Sequence, residues 1–460
     1  MKKVFVLGID GAMPEKVFGE WLDELPNIKS IISEGCYARL NSTIPPISVV
    51  AWASMTTGKK PADHGLFEYL CKDKKNQGQM GLSSSRTVMA KRIWEIAEDH
   101  KIKSISCFVP MTWPLISSGG LSISGIPTPR LEGVEFTNPK ELKNEINSAL
   151  GTPLLIDITN FRELSKEEIP EKVKEVSQLH LDTMKYLIKE KEWQFFFGVI
   201  SGSDRMNHLF WKYCDKTHRK YDPHSEFKST LKNYYKYLDD EIGKIFALLD
   251  KDTLIIILSD HGIMRMHSRV NLSDWLIQEG YLILKEDIKL DQYRTLDNSM
   301  IDFDKTKVFA TGAYDGQIFV NLKTEDGRGC VDIKDYDSLV DELESKLKKI
   351  KGDDGSWLDT KIFKKKGYFI GKYSDMAPDI IIYFDDLQYG ANTSRIGNPT
   401  LWSPQTAQGS DDATHSKQGI FIMSDSVRKG YLGEIDILDI APTILEKLKI
   451  QNNLPGKIIH

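Results

Sequence analysis

Seven side chains of this 460-residue chain could together hold metal ions and carry out a displacement: Asp10, Ser48, Asp204, His208, Asp260, His261 and His415. Three carboxylates and three imidazoles form an oxygen and nitrogen donor set. Such a set suits Zn2+, with Mn2+ or Mg2+ as alternatives when carboxylates dominate. Two neighbouring ions need about six protein ligands, which is what these residues supply. Ser48 then has a role. A free hydroxyl is a poor nucleophile at neutral pH, and coordination by a cation removes the need for a neighbouring base. Two cations can also stabilise the attacking and leaving oxygens of an in-line phosphoryl displacement. Each fragment has an ordinary reading when taken alone. An Asp after a strand is commonly a helix cap, and His208 or His415 could be a simple surface or loop histidine.

The elements that must position these residues are legible as short apolar runs. "KVFVLGID", "WQFFFGVISGSD" and "TLIIILSDHG" read as buried parallel strands. Asp10, Asp204, Asp260 and His261 fall at or just past their carboxyl ends. In open α/β sheets, ligands bind outside those ends. "SDRMNH" spaces Asp204 and His208 four apart, on one face of a helical turn. "PPISVVAWASMTTGKKPADHG" turns helical at Ser48, so the first helical N–H groups add an anion site. "LPNIKSIISEG", residues 170–191 and "SEFKSTLKNYYKYLDDEIGKIFALLD" have helical spacing, and "KRIWEIAEDHKIKSISCFVP" reads as helix, turn, strand. The expected fold is α/β, with a mostly parallel central sheet covered by helices on both faces. Residues 275–395 change character, with many aspartates and glycines and weak periodicity. They read as an inserted cap or substrate subdomain, leaving 1–274 and 396–460 as the metal-binding core. "KQGIFIMS" and "IDILDIAPTILEKLKI" then return to strand and helix.

Composition narrows the class. The chain is 40% hydrophobic and 28% charged, with a net charge of −5. No basic balance points to a nucleic-acid partner, and "ESKLKKIKGDD" mixes its lysines with acids as a solvated helix face does. No run approaches the roughly 18 apolar residues of a membrane span. Five scattered cysteines without a CxxC pair favour reduced thiols over a disulfide framework. The six residues between Lys3 and Asp10 are too few for the apolar core of a signal peptide. A soluble, cytoplasmic protein acting on a small molecule is expected.

Four segments in order, "GIDG", "SVVAWASMTTGKKPADHG", "SDRMNH" with "SDHG", and "THSKQGIFI", resemble the alkaline phosphatase superfamily in its type I phosphodiesterase and nucleotide pyrophosphatase branch. "IDILDIAPTIL" is similar to the closing segment of that family. The resemblance spans nearly the whole chain and implies an alkaline phosphatase-like three-layer sandwich. It implies two divalent ions, Zn2+ first. Asp10, Ser48, Asp260 and His261 would hold one ion, and Asp204, His208 and His415 the other. Ser48 would become phosphorylated as a phosphodiester or phosphoanhydride is hydrolysed. Two positions depart from the family. Many relatives have Thr where this chain has Ser48, and an Asn that helps bind a phosphoryl oxygen where it has Tyr69. The second difference weakens any claim of nucleotide specificity, since another donor would have to replace the Asn. His64 reads as structural, and His267 matches no motif. "VFATGAYDGQIFVN" also resembles a family segment, with Gly312 and Gly316 suited to a tight turn. Alternatives are a phosphomonoesterase or phosphomutase of the same superfamily and, from another class, a non-catalytic metal-stabilised binding protein. A sulfatase is disfavoured because no "CxPxR"-type segment is present.

Overall fold

The computed structural model describes residues 2–73, 79–116, 119–129, 133–158, 161–286, 292–325, 327–403 and 412–460. The chain divides into two units. The first comprises Met1–Lys216, Tyr221–Ile263 and His415–His460, and the second comprises Thr217–Lys220 and Met264–Thr414. The expected insertion, 275–395, falls inside the second unit.

The first unit is built on a nine-stranded sheet. Its strands in chain order are β1 (Val4–Ile9), β2 (Cys36–Asn41), β3 (Ser104–Val109), β4 (Leu121–Ser124), β5 (Thr137–Asn138), β6 (Phe195–Ile200), β7 (Leu254–Leu258), β8 (Gln418–Met423) and β9 (Gly430–Asp436). Across the sheet they lie in the order β9-β2-β8-β7-β1-β6-β3-β4-β5. Only β5 and β8 run against the rest. The apolar runs become strands because both faces of the sheet are covered, so every residue of β1 and β6 is buried. The register aligns the ends that matter. Gly8 pairs with Val199 of β6 and with Leu258 of β7, so residues 10, 201 and 260 leave the sheet side by side.

The longer helices of this unit are α1 (Pro26–Glu34), α2 (Ser48–Thr57), α3 (Ile93–Asp99), α4 (Leu142–Leu150), α5 (Ile169–Glu190), α6 (Gly202–Cys214), α7 (Thr230–Phe246) and α8 (Ile440–Lys447). One face of the sheet, including Val4, Val6, Phe195, Phe197 and Ile256, shares a core with Trp52 and Met55 of α2, Trp94 of α3 and Ile444 of α8. On the other face Gly198 lies against Met184 of α5, and α7 packs with α1, α5 and α6. Sheet and two helical layers make the three-layer α/β sandwich.

The second unit has its own core, including Leu272, Ile318, Val340, Leu343, Ile380 and Ile382. Its main sheet is antiparallel, in the order Val308–Thr311, Gly316–Val320, Ile380–Tyr383, Lys361–Lys364. Gly316 begins a strand, while Gly312 takes the turn with a φ of +98°. No described helix is long and apolar enough to cross a membrane.

Candidate metal centre

The first unit brings all seven residues together at the carboxyl edge of β1, β6 and β7. Asp10 follows β1 directly, and its amide bonds Ile200 O at 3.0 Å. Asp260 and His261 follow β7 after Ser259, whose hydroxyl donates to Ala12 O at 2.9 Å and ties the two loops together. Asp204 and His208 lie on the first turns of α6, and Nε2 of His208 is 3.3 Å from Oδ1 of Asp204. His415 enters from the strand Ala413–Ser416. Its Nε2 lies 3.1 Å from Nε2 of His208 and 3.7 Å from Oδ1 of Asp204.

Ser48 is the first residue of α2. Val50 N and Ala51 N both close on Ile47 O, so the amides of Ser48 and Val49 fall at the open amino end of the helix. Oγ of Ser48 is 3.1 Å from Nε2 of His261 and 3.4 Å from Oδ1 of Asp10. That hydroxyl therefore sits beside the ligands from β1 and β7.

The donor atoms fit divalent cations. Asp10, Asp260 and His261 each offer a ligand atom within 4.8 Å of the others, and so do Asp204, His261 and His415. His261 is common to both groups. Oδ1 of Asp204 and Oδ2 of Asp260 are buried without a hydrogen-bond partner, an arrangement that is costly unless a cation is bound. The imidazoles are set for the same purpose. Nδ1 of His261 donates to Gly262 O at 3.0 Å, and Nδ1 of His415 donates to Pro46 O at 2.7 Å. Those bonds place the Nε2 lone pairs toward the carboxylates.

Electrostatics agree. Burial, then the charges of Asp260 and Asp204, push the Asp10 carboxyl well above its usual range. Burial pushes Asp260 up to about 8, and Gly11 N–H, donating at 3.2 Å, only partly offsets this. Burial also acts to raise Asp204, but the imidazoles of His208, His415 and His261 hold it below the usual carboxylate range. Burial and the charge of His261 push His415 well below the ordinary histidine value. Asp10 and Asp260 are thus the two carboxylates that nearby positive charge would most favour in the ionised form.

Several supporting groups are absent from the sequence reading. Trp52 Nε1 donates to Oδ2 of Asp10 at 3.0 Å. Its ring reaches there because residue 8 is glycine; a Cβ on Gly8 would lie 2.3 Å from the indole. Asn207, fully buried, donates to Gly11 O at 2.8 Å, and Ser203 Oγ donates to Asp10 O at 2.7 Å. Gly11 has a φ of +68°, and a Cβ there would stand 3.1 Å from Oδ1 of Asp204. Trp52 passes in sequence for an ordinary core residue of a helix, and Asn207 for a solvated one.

His64 has a structural role in the turn after α2. Its Nδ1 accepts from Leu66 N at 3.2 Å and its Nε2 meets Ser54 Oγ at 2.8 Å. Tyr69 is partly exposed. Desolvation, then the charges of Asp10, Glu68 and Asp204, push its phenol up. His267 belongs to the second unit, where its amide bonds Gln388 O at 2.8 Å.

The sequence profile of the type I phosphodiesterase / nucleotide pyrophosphatase family matches residues 4–411. No curated protein matches the chain in sequence. Among solved structures, human ectonucleotide pyrophosphatase/phosphodiesterase 5 aligns with a TM-score of 0.56 and 14% identity, over 99% of this chain and 97% of the other. An inactive variant of the murine protein, in complex with AMP, aligns at 0.56 and 12%, over 99% and 98%. Phosphonoacetate hydrolase from Sinorhizobium meliloti 1021, in complex with phosphonoacetate, aligns at 0.58 and 14%, over 96% and 94%. These likenesses establish a shared fold.

Proposed function

Because the chain belongs to the type I phosphodiesterase / nucleotide pyrophosphatase family of the alkaline phosphatase superfamily, we propose that this hydrolase cleaves a phosphodiester or phosphoanhydride of a small molecule through Ser48. The observation that carries the reading is the position of the Ser48 hydroxyl. It stands 3.1 Å from His261 and 3.4 Å from Asp10, at the open amino end of α2.

Asp10, Ser48, Asp260 and His261 would hold one divalent cation, and Asp204, His208 and His415 a second. When bound, such cations would favour the ionised Ser48 oxygen and neutralise charge on the phosphoryl group. The chain's own residues do the rest. Trp52, Gly11 N–H and the carbonyls of Pro46 and Gly262 fix the donor atoms, so little rearrangement is needed at the moment of reaction. The amino end of α2 adds positive potential where the phosphoryl oxygens would lie. Oγ of Ser48 attacks phosphorus, and the P–O bond to the leaving alcohol or phosphate breaks in line. Water then cleaves the seryl phosphate ester, releases the second product and restores the hydroxyl.

A diester is favoured over a monoester because Arg205, next to Asp204, is committed to Asp157; its Nε donates to Oδ1 of Asp157 at 3.0 Å. Turnover of bis(4-nitrophenyl) phosphate against 4-nitrophenyl phosphate, before and after chelation and with Zn2+ or Mn2+ returned, tests the proposal. The diester should be the better substrate, and chelation should abolish turnover until metal is restored. Turnover indifferent to chelator in a metal-free preparation would refute it.

A further inference from the structure

A cavity of about 680 Å3 opens at the carboxyl edge of the sheet, where β4 ends and β5 begins. Its walls are residues 128–129 and 133–136, residues 140–144 at the start of α4, and residues 154–157. Two strand spacings separate β4 from β6, or about 10 Å. The volume is that of a site for an organic ligand of moderate size.

The cavity is built from fixed parts. Ser124 N bonds Phe136 O at 2.9 Å, and Leu154 N bonds Oδ1 of Asn147 at 2.7 Å. His180 of α5 is buried, stacks on Phe108 with ring centroids 3.7 Å apart, and donates from Nε2 to Leu155 O at 2.9 Å. Phe108 itself holds a left-handed backbone, with a φ of +61°. For a residue with a side chain that costs roughly 1–2 kcal/mol and persists only where the surroundings enforce it.

The cavity is linked to the metal centre through one ion pair. Asp157 lines it and bonds the guanidinium of Arg205, the residue after Asp204. Arg205 also lies over the ring of Phe161, 4.7 Å from its centroid. The pair thus ties the wall of the cavity to the residue beside Asp204. With Asp157 neutralised by Arg205, the remaining lining charges cancel: Lys140 and Lys143 against Glu135 and Glu141. Phe136, Leu154 and Ile156 supply apolar surface.

We infer that this cavity receives one ester substituent of the substrate, and that the substituent is an extended, uncharged organic group with an apolar body. Arg205 and Asp157 act as positioning residues on the way to it. The inference rests on the hydrolytic reading above. It separates from it because the reaction needs only the metal centre, whereas the preference for a substituent needs the cavity.

The test compares two 4-nitrophenyl phosphodiesters that differ only in the second ester group, one methyl and one 2-(2-naphthyloxy)ethyl, with the metal-loaded full chain. The naphthyl ester should have the higher kcat/KM, by about ten-fold or more. Leu155→Trp, at a partly exposed position, should narrow that ratio by obstructing the cavity, and Phe136→Ala should narrow it by removing the ring. A carboxylate added to the naphthyl group should also lower kcat/KM. Turnover of both esters with the same ratio in wild type and both variants would overturn the inference and leave the reaction standing. No turnover of either ester would overturn the reaction and the inference together.

Discussion

Replacing Trp52 by Phe should weaken metal binding without unfolding the protein. Trp52 and Asp10 are both buried, and the indole Nε1 donates to Oδ2 of Asp10 at 3.0 Å. That bond acts to lower the carboxyl's pKa, against burial and the charges of Asp260 and Asp204. Phe keeps an aromatic ring in the core but leaves the carboxylate oxygen without its donor. A hydrogen bond to a charged group contributes about 1.5–3 kcal/mol. At about 1.4 kcal/mol per factor of ten, the loss corresponds to roughly 10- to 150-fold in affinity. Groups that orient metal ligands typically contribute about 10–100-fold, which agrees. A competitive titration with a zinc indicator measures the change. Melting with and without metal separates it from packing, because the lost ring volume lowers both curves while the lost donor narrows the gap between them. Affinity within two-fold of wild type and an unchanged gap would show that Trp52 merely fills the core.

How much of this site is legible in the sequence follows from how local each part is. Asp10, Asp260 and His261 stand out because a buried parallel strand is a continuous apolar run, and an acid at its end breaks the run abruptly. Asp204 and His208 are linked by helical spacing alone. Ser48 stands out as a hydroxyl at the start of a helical segment. The supports are different. Trp52 is 42 residues from Asp10, Asn207 is 196 from Gly11, and His415 is 369 from Pro46. Nothing in the residue types announces those contacts, because an indole or amide looks the same whether it braces a ligand or fills space. The same limit hides the pairing of Arg205 with Asp157. In the second unit the strands are short and two of the connections, 321–360 and 365–379, are long, so the antiparallel sheet leaves only weak periodicity in the sequence.

Other expectations can be checked directly. Gly8→Ala should destabilise by about 1–3 kcal/mol, since its Cβ would lie 2.3 Å from the Trp52 ring and 2.9 Å from Val199; urea unfolding gives the value, and a change below 0.5 kcal/mol would contradict the packing. Burial and the charge of Arg92 push His64 down to about 3, against an ordinary value of 6.5. Its contribution to stability is therefore full above pH 6.5 and is lost as pH falls from there toward 3, by up to about 5 kcal/mol. Subtracting the melting-temperature profile of His64→Asn from that of wild type should reveal that dependence, and parallel profiles would exclude it.

The most direct measurement is acid quench of the metal-loaded protein during turnover of bis(4-nitrophenyl) phosphate, followed by mass spectrometry of the peptide containing Ser48. A nucleophilic Ser48 predicts a seryl phosphate ester carrying the second nitrophenyl group on that peptide. The adduct should disappear in Ser48→Ala, with the rate falling by roughly 10³ or more. Rapid turnover by Ser48→Ala, or an adduct on any other residue, would contradict covalent catalysis at Ser48.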